Sequence, residues 1–138
     1  MSESLNRLKD VRHLPVFPLP LILLPNETLP LHIFEPRYRQ MLADTLAHNR
    51  IFGVSFFDSE KSPASRPEIG SVGCAAEIRE IEELPDERSN ILTTGLARYR
   101  IQDYIEHEKP YLIAEVEFFH DTSESKAASK DIAKEVFE

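Results

Sequence analysis

Apolar residues fall along this chain in distinct rhythms, and each rhythm predicts a different element. From Leu14 to Ile33, apolar doublets and triplets are cut every few residues by proline. Pro15, Pro18, Pro20, Pro25 and Pro30 lack a backbone donor and fix their own φ, which rules out a helix and predicts short edge strands and extended turns. Such a ribbon is held by its side chains, at about 1.5 to 3 kcal/mol for each large one buried, so it must wrap a larger sheet. After Pro36 the rhythm changes, and Tyr38, Met41, Leu42 and Leu46 follow the spacing of a single helical face. Pro36 suits a first helical position, Glu35 lies at the positive end of the helix, and His48 and Asn49 close it.

Beyond the helix the pattern is that of strands. Ile51 to Phe57 is β-branched and aromatic, with Gly53 allowing a neighbour to approach closely, and Asp58 to Gly70 has the composition of a surface loop. Ser71 to Phe119 predicts a β-meander with strands at Val72 to Leu84, Ile91 to Ile101 and Tyr111 to Phe119. They are separated by a β-turn at Pro85-Asp86-Glu87-Arg88 and a break at Glu108-Lys109-Pro110. In the last strand Leu112, Ala114, Val116 and Phe118 should point inward. In the first, Cys74, Ala76 and Ile78 alternate but Ile81 is out of phase, which a bulge near Arg79 or Glu80 would repair.

The segments flanking this core read differently. Residues 1–12 form a polar lead-in with little to pack and are predicted to be flexible. Residues 121–138 begin with a polar hinge, and a helix is predicted from near Ala127 with Ile132, Ala133, Val136 and Phe137 along one side. Two large apolar residues lie almost at its end with no cap after them, so it reads as the first turns of a longer helix.

One stretch, LPVFPLPLILLPNETLPLHIFEPRYRQML, resembles the opening of the Lon substrate-binding domain, the amino-terminal domain of Lon proteases, which also occurs in stand-alone proteins and in cereblon. The rest of that family's pattern follows in order: RIFGVSFF, EIGSVGCAAEI, ILTTGLARYRI and YLIAEVEFF. The resemblance spans residues 13–120 and implies a mainly β domain with α (α+β), a PUA-like pseudo-barrel with one helix after the proline-rich ribbon. It also implies recognition of unfolded or client polypeptide, with a protease or ligase as a further partner. The ATPase module and the serine-lysine protease domain of Lon have no counterpart in the matched region, so no catalytic residues are expected.

Composition narrows the choice of function. A chain of 138 residues suits one domain with one core, and a hydrophobic content of 41% with no apolar run long enough to span a bilayer predicts a soluble, cytoplasmic protein. The net charge of -8 argues against a general phosphate-binding surface. With four glycines there is no phosphate-cradling loop. The five histidines are scattered and the single Cys74 reads as a small buried thiol, so neither a metal nor a cofactor is expected. Gly70-Ser71-Val72-Gly73 is a weak echo of an RNA-binding GxxG turn. Glu77, Glu80, Glu82, Glu83, Asp86 and Glu87 could hold a cation or act as acid and base. Interleaved with Arg79 and Arg88, they fit better as a solvated hairpin tip that opposes edge-to-edge association.

Two sets of residues remain as candidates for contact. Phe34, Glu35, Arg37 and Tyr38 form the corner between ribbon and helix, where an aromatic side chain either anchors a partner or staples the helix into the core. Arg98 and Arg100, on one strand face, together with Arg37 and Arg39, form the alternative: a basic patch for RNA. The simpler reading of these arginines is that they pair with nearby carboxylates and lay their stems over Tyr38 and Tyr99.

Overall fold

The proline ribbon forms two strands, β1 (His13–Leu19) and β2 (Thr28–Ile33), which lead into a helix, α1 (Pro36–Leu46), and then four more strands, β3 (Ile51–Phe56), β4 (Val72–Glu83), β5 (Ser89–Tyr104) and β6 (Leu112–Phe119). This computed structural model describes residues 8–119. The helix expected from Ala127, the hinge before it and His120 lie outside the described residues. The strand order is β2-β5-β4-β3-β1-β6 with a further β5–β6 pairing, so β1, β3, β4, β5 and β6 close on themselves as a barrel. The architecture is therefore the expected one, mainly β with the helix α1 after the ribbon.

The position of β1 corrects the expectation of an edge strand, since it lies between β3 and β6 in spite of Pro15 and Pro18. It divides its length between the two neighbours. His13 to Val16 pair antiparallel with β6, and Val16 to Leu19 pair parallel with β3. Val116 N–H donates to Arg12 O and Phe57 N–H donates to Leu19 O, each at 2.8 Å. Because successive residues of a strand turn their polar groups to opposite sides, Pro18 faces the β6 side and Pro15 the β3 side. Each proline thus points its missing donor where that neighbour is not paired. Pro30 obeys the same rule in β2, which does lie at an edge. Gly95 N–H donates to Glu27 O at 2.8 Å, so Thr93, Ile91 and Ser89 also face β2, and Pro30, out of phase with their partners Leu29, Leu31 and Ile33, faces the open side.

Two apolar cores follow from closure. One is built from barrel strands alone and Leu8, with Leu14, Val16, Ile51, Ala75, Tyr99, Ile101, Ala114 and Val116 buried in it. Leu8, in the stretch read as a lead-in, is 2% exposed. The Tyr99 side chain fills the barrel interior beside two glycines. A β-carbon on Gly53 would come within 2.5 Å of its hydroxyl, and one on Gly73 would strike the same group. The Tyr99 and Ser55 hydroxyls share a hydrogen bond of 2.5 Å, which satisfies both polar atoms where no water reaches them. Gly73, the last residue of the GxxG echo, therefore serves packing.

The second core lies between the barrel wall and α1. Tyr38, Met41 and Leu42 pack with Phe17, Phe52, Val54, Cys74 and Ile78, and Leu46 is partly buried against them. Burial on both faces explains why Cys74 to Ile78 are all buried rather than alternating. The bulge expected near Arg79 is present, as the β4–β5 register shifts between Ile78 and Glu80, but it does not bring Ile81 inward, which stays exposed with the rest of the hairpin end; a second shift falls between Cys74 and Ala76. Strand β5 is longer than expected at both ends, because it pairs with β2, β4 and β6 in turn. The turn before it is a single 3-10 turn at Pro85–Glu87, with Asp86 and Glu87 at positive φ, in place of a simple β-turn.

All four tyrosines have phenol pKa values raised above their usual 10.0, with burial as the leading cause: Tyr38, Tyr99, Tyr104 (to about 12) and Tyr111. A phenol that ionises at higher pH when folded contributes stability that is fully present below its unfolded pKa and lost as pH rises toward the folded one. The domain is therefore expected to keep its tyrosines neutral past pH 10 and to release tyrosinate together with unfolding. Tyrosinate absorbance and far-ultraviolet circular dichroism followed through one alkaline titration should change in step, and a tyrosinate signal that precedes the loss of dichroism would contradict this.

Candidate functional site

The division of β1 between two partners opens a cleft. Beyond Val16 the strand leaves β6, and the space between them is a cleft of about 1450 Å³. Its floor is Phe17 to Pro20. One wall is the corner from Leu31 to Tyr38, another is the loop after β3 from Phe57 to Glu60 with Arg66, and the far wall runs from Asp103 through the β5–β6 connection to Leu112. Pro18 turns its donorless nitrogen to this side, so the floor offers an added strand an interrupted ladder.

The walls are tied to the helix and the sheet by polar groups. The Tyr111 hydroxyl donates to Asp44 Oδ2 at 2.6 Å, Gln40 Nε2 donates to Asp44 Oδ1 at 2.9 Å, and Lys109 Nζ lies 3.3 Å from Asp44 Oδ2. The Tyr111 hydrogen bond is the main cause that holds the Asp44 carboxyl below its usual range, with Gln40 and Lys109 adding to it against partial desolvation. Burial and the adjacent Asp44 push the Tyr111 phenol up, so it remains the donor. This network fastens α1 to the β5–β6 connection. Across the cleft, the Tyr104 hydroxyl donates to Pro67 O at 2.7 Å and Arg66 lies 4.0 Å over the Tyr104 ring, which anchors the loop after β3.

The corner residues separate into surface and core. Phe34 is 57% exposed, so it does not staple the helix, and its ring stacks on His32 with centroids 5.6 Å apart. His32 Nδ1 lies 2.8 Å from Asn90 Oδ1, and Asn90 Nδ2 donates to Glu82 Oε1 at 3.0 Å, so the His32 ring is itself held across three strands. Glu35 and Arg37 are exposed beside Phe34 and pair with each other at 3.6 Å. Tyr38 is buried instead, stacked on Phe17 at 4.2 Å with Arg37 over it at 4.9 Å. Of the four it is the one placed in the core, because helical spacing from Met41 and Leu42 turns it inward.

Arg98 and Arg100 sit elsewhere. Both guanidiniums lie over the Phe119 ring, at 5.1 and 5.9 Å, and Arg100 donates to Gly70 O at 2.8 Å. Their stems do not cover Tyr99, which points into the barrel. Arg39 pairs with Glu87 at 3.1 Å. Arg37 lines the cleft, Arg39 is tied to the turn before β5, and Arg98 and Arg100 share Phe119 outside the cleft. Cys74 is buried, and burial pushes its thiol up to about 12, so it remains protonated. Among the described residues no group of histidine, cysteine, aspartate or glutamate could hold a metal ion, and no helix is long and apolar enough to cross a membrane. Sequence reasoning missed Tyr99, Asp44 and Tyr111. The glycines at positions 53 and 73 were the available signal for Tyr99; the Asp44–Tyr111 contact joins residues 67 positions apart and left none.

The fold is thus a closed barrel with a side cleft and an exposed aromatic at its mouth. The family of the ATP-dependent protease La (LON) substrate-binding domain matches residues 13–138, and the chain belongs to that family. Cereblon of Danio rerio is 33% identical over 104 residues, which cover 74% of this chain and 24% of that protein. The Lon protease of Desulforamulus reducens is 27% identical over 120 residues, 86% of this chain and 15% of the protease. The crystal structure of a Lon N-terminal domain protein from Xanthomonas campestris superposes with a TM-score of 0.66 at 26% identity, covering 82% of this chain and 63% of that one. The N-terminal domain of Lon protease from Mycobacterium avium complex, at 18% identity and a TM-score of 0.61, shares the fold. The chain thus spans less than two thirds of each of these relatives, and the likeness to Lon is to its substrate-binding part, a substrate-recognition module.

Proposed function

We propose that this domain binds exposed apolar segments of unfolded polypeptide without catalysing a reaction on them, as a cytoplasmic module of protein quality control that works with a protease or ligase. The observation that carries the reading is Phe34: a large aromatic side chain, exposed at the mouth of the cleft and held in place by a stacked, hydrogen-bonded histidine. Anchors of this kind act by entering a partner's apolar surface with little ordering left to do. Glu35 and Arg37 flank it as polar rim, and Tyr38 supports the floor behind it. The membership of the Lon substrate-binding family supports the polypeptide as ligand.

Phe34→Ala tests this directly. Client affinity is expected to fall by about 1 to 3 kcal/mol, as for a central aromatic contact. Thermal stability should hardly change, because the ring contributes little buried area. A melting temperature that drops while affinity per folded molecule stays constant would remove Phe34 from the site.

A further inference from the structure

We infer that the cleft selects, among apolar segments, those that carry lysine or arginine beside their apolar residues. The inference rests on the recognition role proposed above and adds the chemistry of the preferred client. Its basis is an imbalance around the cleft. Among the described residues, two of the three lysine and arginine side chains lining it are paired with carboxylates, Arg37 with Glu35 at 3.6 Å and Lys109 with Asp44 at 3.3 Å, and the third, Arg66, is held over the Tyr104 ring at 4.0 Å, so that one positive charge faces three carboxylates. The carboxylates of Glu60, Asp103 and Glu106 also line the cleft and are exposed, and among the described residues none of the three has an ion-pair partner.

Glu60 comes from the loop after β3, and Asp103 and Glu106 from the end of β5 and the connection to β6, so separate walls contribute to the field. A bound segment that lies along Phe17 and Phe34 passes between them. Since Pro18 breaks the ladder on the floor, main-chain hydrogen bonds cannot dominate, and flanking side chains decide between clients of equal apolar content. Exposed charges act over about a Debye length and are screened by salt, which makes the selection an effect of low to moderate ionic strength.

Three fluorescent peptides that share one apolar centre of phenylalanine and leucine, flanked by lysine and arginine, by serine and glycine, or by aspartate and glutamate, would test this by anisotropy. The basic-flanked peptide is expected to bind about tenfold more tightly than the acidic-flanked one at low salt, with the difference collapsing at high salt. Replacing the three carboxylates together, Glu60→Gln, Asp103→Asn and Glu106→Gln, should abolish the preference, bringing the affinities of the basic-flanked and acidic-flanked peptides together. Glu80→Gln with Glu83→Gln, which removes exposed charge from the β4–β5 hairpin away from the cleft, should preserve it. Equal affinities for all three peptides at low salt would overturn the inference and leave recognition of apolar polypeptide standing, as would a preference that survives in the triple variant, which would belong to the net charge of -8. Binding of none of the three would overturn the recognition reading and this inference with it.

Discussion

Tyr99→Ala is expected to destabilise the domain by about 3 to 5 kcal/mol, the range for large aromatic truncations in a packed interior. The side chain is fully buried, its ring meets Phe118 edge-on with centroids 6.3 Å apart, and its hydroxyl bonds Ser55. Truncation would open a cavity and leave the Ser55 hydroxyl unpaired in a dry interior, and no neighbour is free to fill the space, since Gly53 and Gly73 have no side chain to offer. The same geometry predicts a compensation. Gly73→Ala should cost about 1 to 3 kcal/mol because its methyl meets the Tyr99 hydroxyl, the Tyr99 ring carbon Cζ at 2.5 Å and the Ser55 Oγ at 2.7 Å. Tyr99→Ala removes both the hydroxyl and the ring that this methyl would strike, so Gly73→Ala combined with Tyr99→Ala should be more stable than the sum of the single losses, with a coupling of about 0.5 to 3 kcal/mol. Urea unfolding of the four proteins measures this, and strict additivity would contradict the packing described.

Gly95→Ala is expected to cost a further large amount, about 2 to 5 kcal/mol, by a different route. A β-carbon there would press on the carbonyl oxygen of Leu24, which is main chain and has no rotamer to change. The segment cannot simply retreat. Gly95 N–H donates to Glu27 O at 2.8 Å and Asn26 N–H donates to Gly95 O at 2.9 Å, so any shift that relieves the clash loosens bonds that hold the ribbon to β5. Leu23, buried in the core beneath α1, would be pulled with it. Gly70→Ala makes the contrast: there is open space around it but φ is +94°, so its cost should be about 1 kcal/mol and confined to backbone strain. Chemical denaturation of both variants compares them. Equal losses would mean that the Leu24 contact relaxes and that the ribbon is less firmly attached than its hydrogen bonds imply.

Much of this fold was legible before any coordinates, for reasons that are local. Proline excluded helix from the ribbon because its missing donor acts on its own residue. The spacing of Tyr38, Met41 and Leu42 determined both the existence of α1 and the side it buries, and the β4–β5 register contains the bulge expected near Arg79. Local reasoning also drew attention to Phe34 as the aromatic left over once the helical face was filled.

What the tertiary structure alone decided depends on pairings between distant residues. A strand with two prolines reads as an edge, yet β1 is central because each proline needs only one side free, and which side is free is settled by where β3 and β6 begin and stop. That same choice of register opens the cleft. Tyr99 gave no sign from its neighbours in sequence that it would enter the barrel while Arg98 and Arg100 turned outward; the closure of the sheet and the bare glycines on two other strands place it there. Exposure of Phe34 and the gathering of Glu60, Asp103 and Glu106 around one opening are likewise products of closure. Helical and strand periodicity is written in spacings of a few residues, whereas a site assembled from four separate segments exists only once long-range hydrogen bonding has brought them together.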